Sequence, residues 1–140
     1  MSNQEIIDAA KAPTYAFNEN DWDKVRETLT EDFVYEEVCT NRKAQGVENV
    51  IEIWKGWRIA FPDIHGTINN AFGSGGQVVK EITWQGTNTG TLHLPEVERP
   101  ATGKSIEIRS CEIWEIGNGK AESQIHYIDM MTFMQQLGLA

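Results

Sequence analysis

Two side chains of this 140-residue chain, Glu112 and His126, are the types that do acid/base chemistry in pairs. A carboxylate beside an imidazole works near neutral pH: the ring exchanges a proton with a ligand while the carboxylate orients it or balances its charge. The segment 104 to 116 alternates, so Ile106, Ile108, Ser110, Glu112, Trp114 and Ile116 share one face, and Glu107, Arg109, Cys111, Ile113 and Glu115 the other. Glu112 interrupts the more apolar face. Because an unpartnered buried carboxylate is costly, it must be paired, neutralised or set at a wet cavity, which makes it a candidate catalytic group. The competing reading is a bulged strand that returns Glu112 to solvent at a sheet edge. The next segment points Gln124, His126 and Ile128 one way, and Asp129 the other. Counting outward from Asn118 in the Gly117-Asn118-Gly119 turn sets positions near 112 opposite positions near 124, so His126 becomes a diagonal neighbour of Glu112 on the same face. The alternative for His126 is a core histidine satisfied by its surroundings. His65 and His93 sit beside turns or loops and read as surface residues.

These strands need elements to hold them. Ile6, Ile7, Ala10 and Tyr15 fall at roughly helical spacing over Asn3 to about Phe17, with Ser2 or Asn3 as cap and Pro13 as a kink. Asp21 caps a second short helix with Trp22, Val25 and Leu29 inward. Phe33 to Val38 reads as a short strand, and Thr40 to Gly46 as a loop. A third helix spans about Val47 to Ala60 and stops ahead of Phe61-Pro62. From Ile64 onward β-branched and aromatic residues dominate, giving an antiparallel meander near 64 to 73, 77 to 88, 104 to 116 and 120 to 129, with a loop containing Pro95 and Pro100. Met130 to Leu137 closes the chain as a helix ending at Gly138. Helices first and a curved sheet afterwards define an α+β class, in which helices cover one sheet face.

The length and a hydrophobic content of 40% fit a single domain over 1–140. A net charge of −9 repels phosphate backbones and anionic lipid, so nucleic acid and membrane are poor partners. Cys39 and Cys111 lie far apart outside any metal-binding spacing and read as reduced thiols, with no metal site. With no basic-then-apolar leader and no long apolar run, the expected location is the cytoplasm.

Phe61-Pro62-Asp63, Trp84-x-Gly86-Thr87-Asn88-Thr89-Gly90, Pro100-Ala101-Thr102-Gly103-Lys104 and Gln135-Gln136-Leu137-Gly138 follow in order and spacing the landmarks of the SnoaL-like polyketide cyclase, or ester cyclase, family, which the chain resembles over nearly its whole length. The resemblance implies a nuclear transport factor 2-like cone around one apolar pocket, a homodimer or homotetramer, and no metal or organic cofactor. It also implies intramolecular aldol chemistry, with an aspartate on the last long strand as acid/base and a histidine on the strand before. Those positions fall on His126 and Glu112, so carboxylate and imidazole have changed places. One of each remains, and the charge left in the pocket after proton transfer changes.

A pocket for a small hydrophobic ligand needs aromatic walls, and the candidates are Tyr15, Phe33, Tyr35, Trp54, Trp57, Phe61, Trp84 and Met130. Each is equally at home in an ordinary core. The expected function is proton transfer on a small carbonyl compound such as a polyketide, by a lyase or isomerase. Relatives sharing the fold offer a ketosteroid isomerase reading, with Tyr15 as donor and Glu36 or Glu37 as base. An epoxide hydrolase would need an Asp-Arg-Asp set, which cannot be assembled here. From another class comes a non-catalytic binding or oligomerisation module.

Overall fold

The computed structural model describes all residues, 1–140. Helix α1 (Asn3–Asn18) starts at a capping box in which Ser2 and Glu5 bond each other's backbone N–H. Its buried stripe is Ala10, Pro13, Thr14 and Phe17. Helix α2 (Trp22–Thr28) is capped by Asp21, and α3 (Val47–Ala60) buries Val50, Ile51 and Trp54. The strands are β1 (Leu29–Glu37), β2 (Arg42–Gln45), β3 (His65–Ser74), β4 (Gln77–Thr87), β5 (Leu92–Leu94), β6 (Val97–Arg99), β7 (Ser105–Gly117) and β8 (Lys120–Ile128), followed by α4 (Met130–Gln136).

The main sheet runs β2-β1-β8-β7-β4-β3, while β5 and β6 form a separate hairpin. Three expectations change. The first strand begins at Leu29, directly after α2, rather than at Phe33. The expected loop from Thr40 to Gly46 contains β2, which extends the sheet by antiparallel pairing with β1; its Arg-Lys-Ala-Gln sequence has little strand character of its own. Likewise, the loop with Pro95 and Pro100 contains the β5–β6 hairpin. The sheet is also mixed, because β1 lies parallel to β8.

The β7–β8 hairpin turns through Asn118 (φ 52°) and Gly119 (φ 81°), both in the left-handed region that such a two-residue turn requires. The register shifts between Glu115 and Ile116, where β8 carries Glu122 as an extra residue between Ala121 and Ser123. The two-residue turn and this bulge each move the pairing by one position from a count centred on Asn118, and together they set His126 directly opposite Glu112 rather than diagonal to it.

Asn88 explains the landmark segments. Fully buried, it donates to the Ala60 and Gly90 carbonyls, and its Oδ1 accepts from the N–H and hydroxyl of Thr102. A Cβ on Gly90 would lie 1.9 Å from the Ile59 carbonyl oxygen. These residues tie the α3 end to the segment that follows β4 and the segment that precedes β7, so this part of the recognisable sequence is structural.

Candidate active site

One row of the sheet crosses β4, β7, β8 and β1 through Lys80, Glu112, His126 and Glu37, each directly paired with the next. All four side chains face the covered side and are buried. Directly opposed residues share a face, so strand register alone assembles a cation, a carboxylate, an imidazole and a second carboxylate.

The Glu37 end is fully satisfied. Its Oε1 accepts from Thr40 Oγ1 (2.6 Å), Arg42 Nη2 (2.8 Å) and Arg42 Nε (3.2 Å), and its Oε2 from the Tyr35 hydroxyl (2.5 Å) and Trp57 Nε1 (3.1 Å). Burial opposes its charge, but Arg42 and the bonds from Thr40 and Tyr35 outweigh it and hold the carboxyl below its usual range. Burial first, and then Glu37, push the Tyr35 phenol well above its ordinary value, so it keeps its proton. A phenol has one proton to give, and here it goes to Glu37. The 2.9 Å contact between Tyr35 Oη and His126 Nδ1 must therefore be donated by Nδ1–H. In the neutral ring this leaves the lone pair on Nε2.

His126 Nε2 lies 3.3 Å from Glu112 Oε2, close enough for an ion pair but off the line of a hydrogen bond, so the nitrogen has no hydrogen-bond partner. Glu112 Oε1 accepts from Trp114 Nε1 at 2.8 Å and lies 3.5 Å from Lys80 Nζ. Lys80 donates 2.7 Å bonds to the Ala10 carbonyl and Thr14 Oγ1, and sits 4.3 Å from the centre of the Trp114 ring. Burial pulls its amine down to about 8, an effect that Glu112 partly offsets.

A cavity of about 70 Å³ opens beside this row. Its walls are aromatic and aliphatic apart from Pro13, Thr14, Glu112, Gln124 and His126. Tyr35, Trp54, Trp57 and Trp84 line it. Tyr15 does not, since it lies off the buried stripe of α1 and is 50% exposed. Phe33 and Phe61 are buried behind the wall, the first against Trp54 and Trp114, the second against Phe133. Met130, half-buried at the first turn of α4, packs on the flank of the core rather than on the cavity. His65 and His93 are exposed, and Asp129 caps α4.

Sequence reasoning passed over Lys80, Trp114, Gln124 and the role of Glu37. Lys80 had a visible signal, for it interrupts the inward alternation Val78, Lys80, Ile82. Glu37 likewise continues the inward series Phe33, Tyr35. No group of three or more metal-ligating side chains is assembled, and no helix is long and apolar enough to cross a membrane.

The fold is shared with solved structures of low identity. A proposed SnoaL-like polyketide cyclase from Jannaschia sp. CCS1 is 16% identical, with coverage of 99% of this chain and 94% of the other and a TM-score of 0.86. IdmH, a proposed polyketide cyclase from Streptomyces antibioticus, is 22% identical, with coverages of 95% and 98% and a TM-score of 0.80. A protein with a ketosteroid isomerase-like fold from Catenulispora acidiphila DSM 44928 is 15% identical, covering 94% and 93%, with a TM-score of 0.77. The architecture is therefore the nuclear transport factor 2-like α+β cone. No curated protein sequence matches the chain. The profile of the SnoaL-like polyketide cyclases does match, over residues 7–137, and with the landmark segments in place the chain belongs to that family.

Proposed function

We propose that this protein is an acid/base enzyme acting on a small, neutral, apolar carbonyl compound of the polyketide type, with His126 as base and Glu112 as its charge partner. The observation that carries this reading is the His126 Nε2 atom, buried at an apolar cavity without a hydrogen-bond partner while Nδ1 is fixed by Tyr35 and Glu37. Nε2 takes a proton from the carbon next to the carbonyl, and the electrons of that C–H bond form an enolate. The imidazolium that results lies between Glu112 and the Tyr35–Glu37 pair, which stabilise its charge. Where a second carbonyl of the same molecule lies in reach, the enolate carbon bonds to it, and the new alkoxide recovers the proton from Nε2. Where none does and a C=C bond lies β,γ to the carbonyl, the dienolate takes the proton back from Nε2 at its γ carbon and the double bond moves into conjugation.

We further propose that two copies of the chain associate through the outer sheet face. There Phe72, Val79, Ile113 and Ile125 form a half-exposed apolar row across four strands.

The enzymatic reading is tested with 1-tetralone, an aromatic ketone with exchangeable hydrogens beside its carbonyl. Deuterium uptake at that carbon should be catalysed by the wild type and fall at least roughly hundredfold in His126→Ala. Equal rates in both proteins would remove His126 from the chemistry, and binding without exchange would favour a carrier.

A further inference from the structure

Gln124 is 3% exposed, lines the cavity, and has an Oε1 with no hydrogen-bond partner. Buried side-chain amides are ordinarily bonded, because an unsatisfied one carries its full desolvation cost. The residue stands two positions before His126 on the same face of β8, in the row of Val78, Trp114 and Tyr35, so it is flanked by Trp114 on one side and Tyr35 on the other. Trp114 already gives its indole N–H to Glu112, and Tyr35 its proton to Glu37, so neither neighbour can satisfy the amide as a donor. An amide can present either its carbonyl or, turned over, its NH₂ to the same space.

We infer that Gln124 binds the carbonyl oxygen of the ligand, holding the acidic carbon against His126 Nε2, so that base and oxygen-binding group act on adjacent atoms of one neutral, enolisable ketone set in a flat apolar frame. Both residues stand on one strand, about 7 Å apart along its axis, and their side chains converge on the same cavity. As the C–H proton moves to His126, negative charge collects on the oxygen, where the Gln124 NH₂ donates more strongly than it did to the ketone. Glu112 beside the base disfavours a ligand that is already anionic.

The inference rests on the cavity being the place of proton transfer, and its test separates the two. Isothermal titration compares 1-tetralone with tetralin, the same ring system without the oxygen, against wild type and Gln124→Leu. The wild type should bind the ketone roughly tenfold more tightly. Gln124→Leu should abolish that preference, keep tetralin binding, and melt no lower than wild type, since it deletes an unsatisfied polar group. Deuterium uptake by bound tetralone should fall roughly hundredfold in the same variant. A ketone preference that survives in Gln124→Leu, or is absent from the wild type, overturns the assignment whether or not exchange occurs. If the preference behaves as expected and exchange is absent from the wild type, the oxygen-binding role stands and the catalytic reading falls.

Discussion

The imidazole of His126 owes its tautomer to a phenol with a single proton to give. Tyr35→Phe removes the acceptor for Nδ1–H and one donor to Glu37. It should lower the tetralone exchange rate roughly tenfold to hundredfold and destabilise the protein by about 1–3 kcal/mol. Nitrogen NMR of the ring should show the Nδ1–H form in the wild type and a mixture in the variant. A wild-type ring protonated on Nε2 would contradict the assignment. Lys80 gives a second test at this scale. Its folded value of about 8 lies below the ordinary 10.5, so between those limits the unfolded chain holds a proton that the folded chain lacks. Stability from this group must then rise with pH across that window, while below it the cost of burying the ammonium is felt in full. Urea unfolding on either side of the window should show the rise in wild type and not in Lys80→Met; identical pH dependence in both would mean the buried amine titrates elsewhere.

Among the elements, register does the assembling. The bulge at Glu122 moves β8 along β7 until His126 faces Glu112, and the parallel pairing of β1 with β8 brings Glu37 to the other side of the ring. A part of the wall farther along β4 depends on a glycine. Gly66 pairs with Trp84 across β3 and β4, and a Cβ there would lie 2.6 Å from the indole ring. Trp84 is further fixed by its bond to Ser110 Oγ at 2.9 Å and by edge contact with Phe17. Gly66→Ala must therefore push the ring toward the cavity. The expected result is a loss of about 1–3 kcal/mol in chemical denaturation, together with weaker binding of both tetralone and tetralin. Unchanged stability and binding would show that the ring is free to move.

For the whole molecule, the helices cover one face of the sheet and leave the other open. The row Phe72, Val79, Ile113 and Ile125 lies on that open face among charged neighbours such as Glu81 and Glu115. With a net charge of −9 the copies repel one another at long range, so association through this row should strengthen as salt screens that repulsion. Sedimentation should give twice the 15.8 kDa chain mass for the wild type, and the chain mass for Ile113→Lys. A wild type that sediments as one chain would remove the proposal.

Alternation with a period of two is a local property, and it was enough to place Glu112 on the inner face of β7 and Gln124 and His126 together on β8. Helical spacing and the residues before Pro62 delimited α3 in the same way. Tyr15 and Met130 show the limit of such patterns, since apolar character does not say which side of a helix meets a cavity. Long-range pairing is not written locally at all. Counting from Asn118 was off by two positions, one because the turn centres between Asn118 and Gly119 and one because of the bulge, an extra residue that packing accommodates and no distinctive sequence marks. Nothing near Glu37 announces that β1 runs parallel to a strand some ninety positions away. A buried lysine looks like any surface lysine until Ala10, Thr14, Glu112 and Trp114 close around it. Which residues face inward was thus set by the sequence, whereas the row that makes Lys80, Glu112, His126 and Glu37 one site was decided by tertiary pairing, whose energy depends on partners distant in the chain.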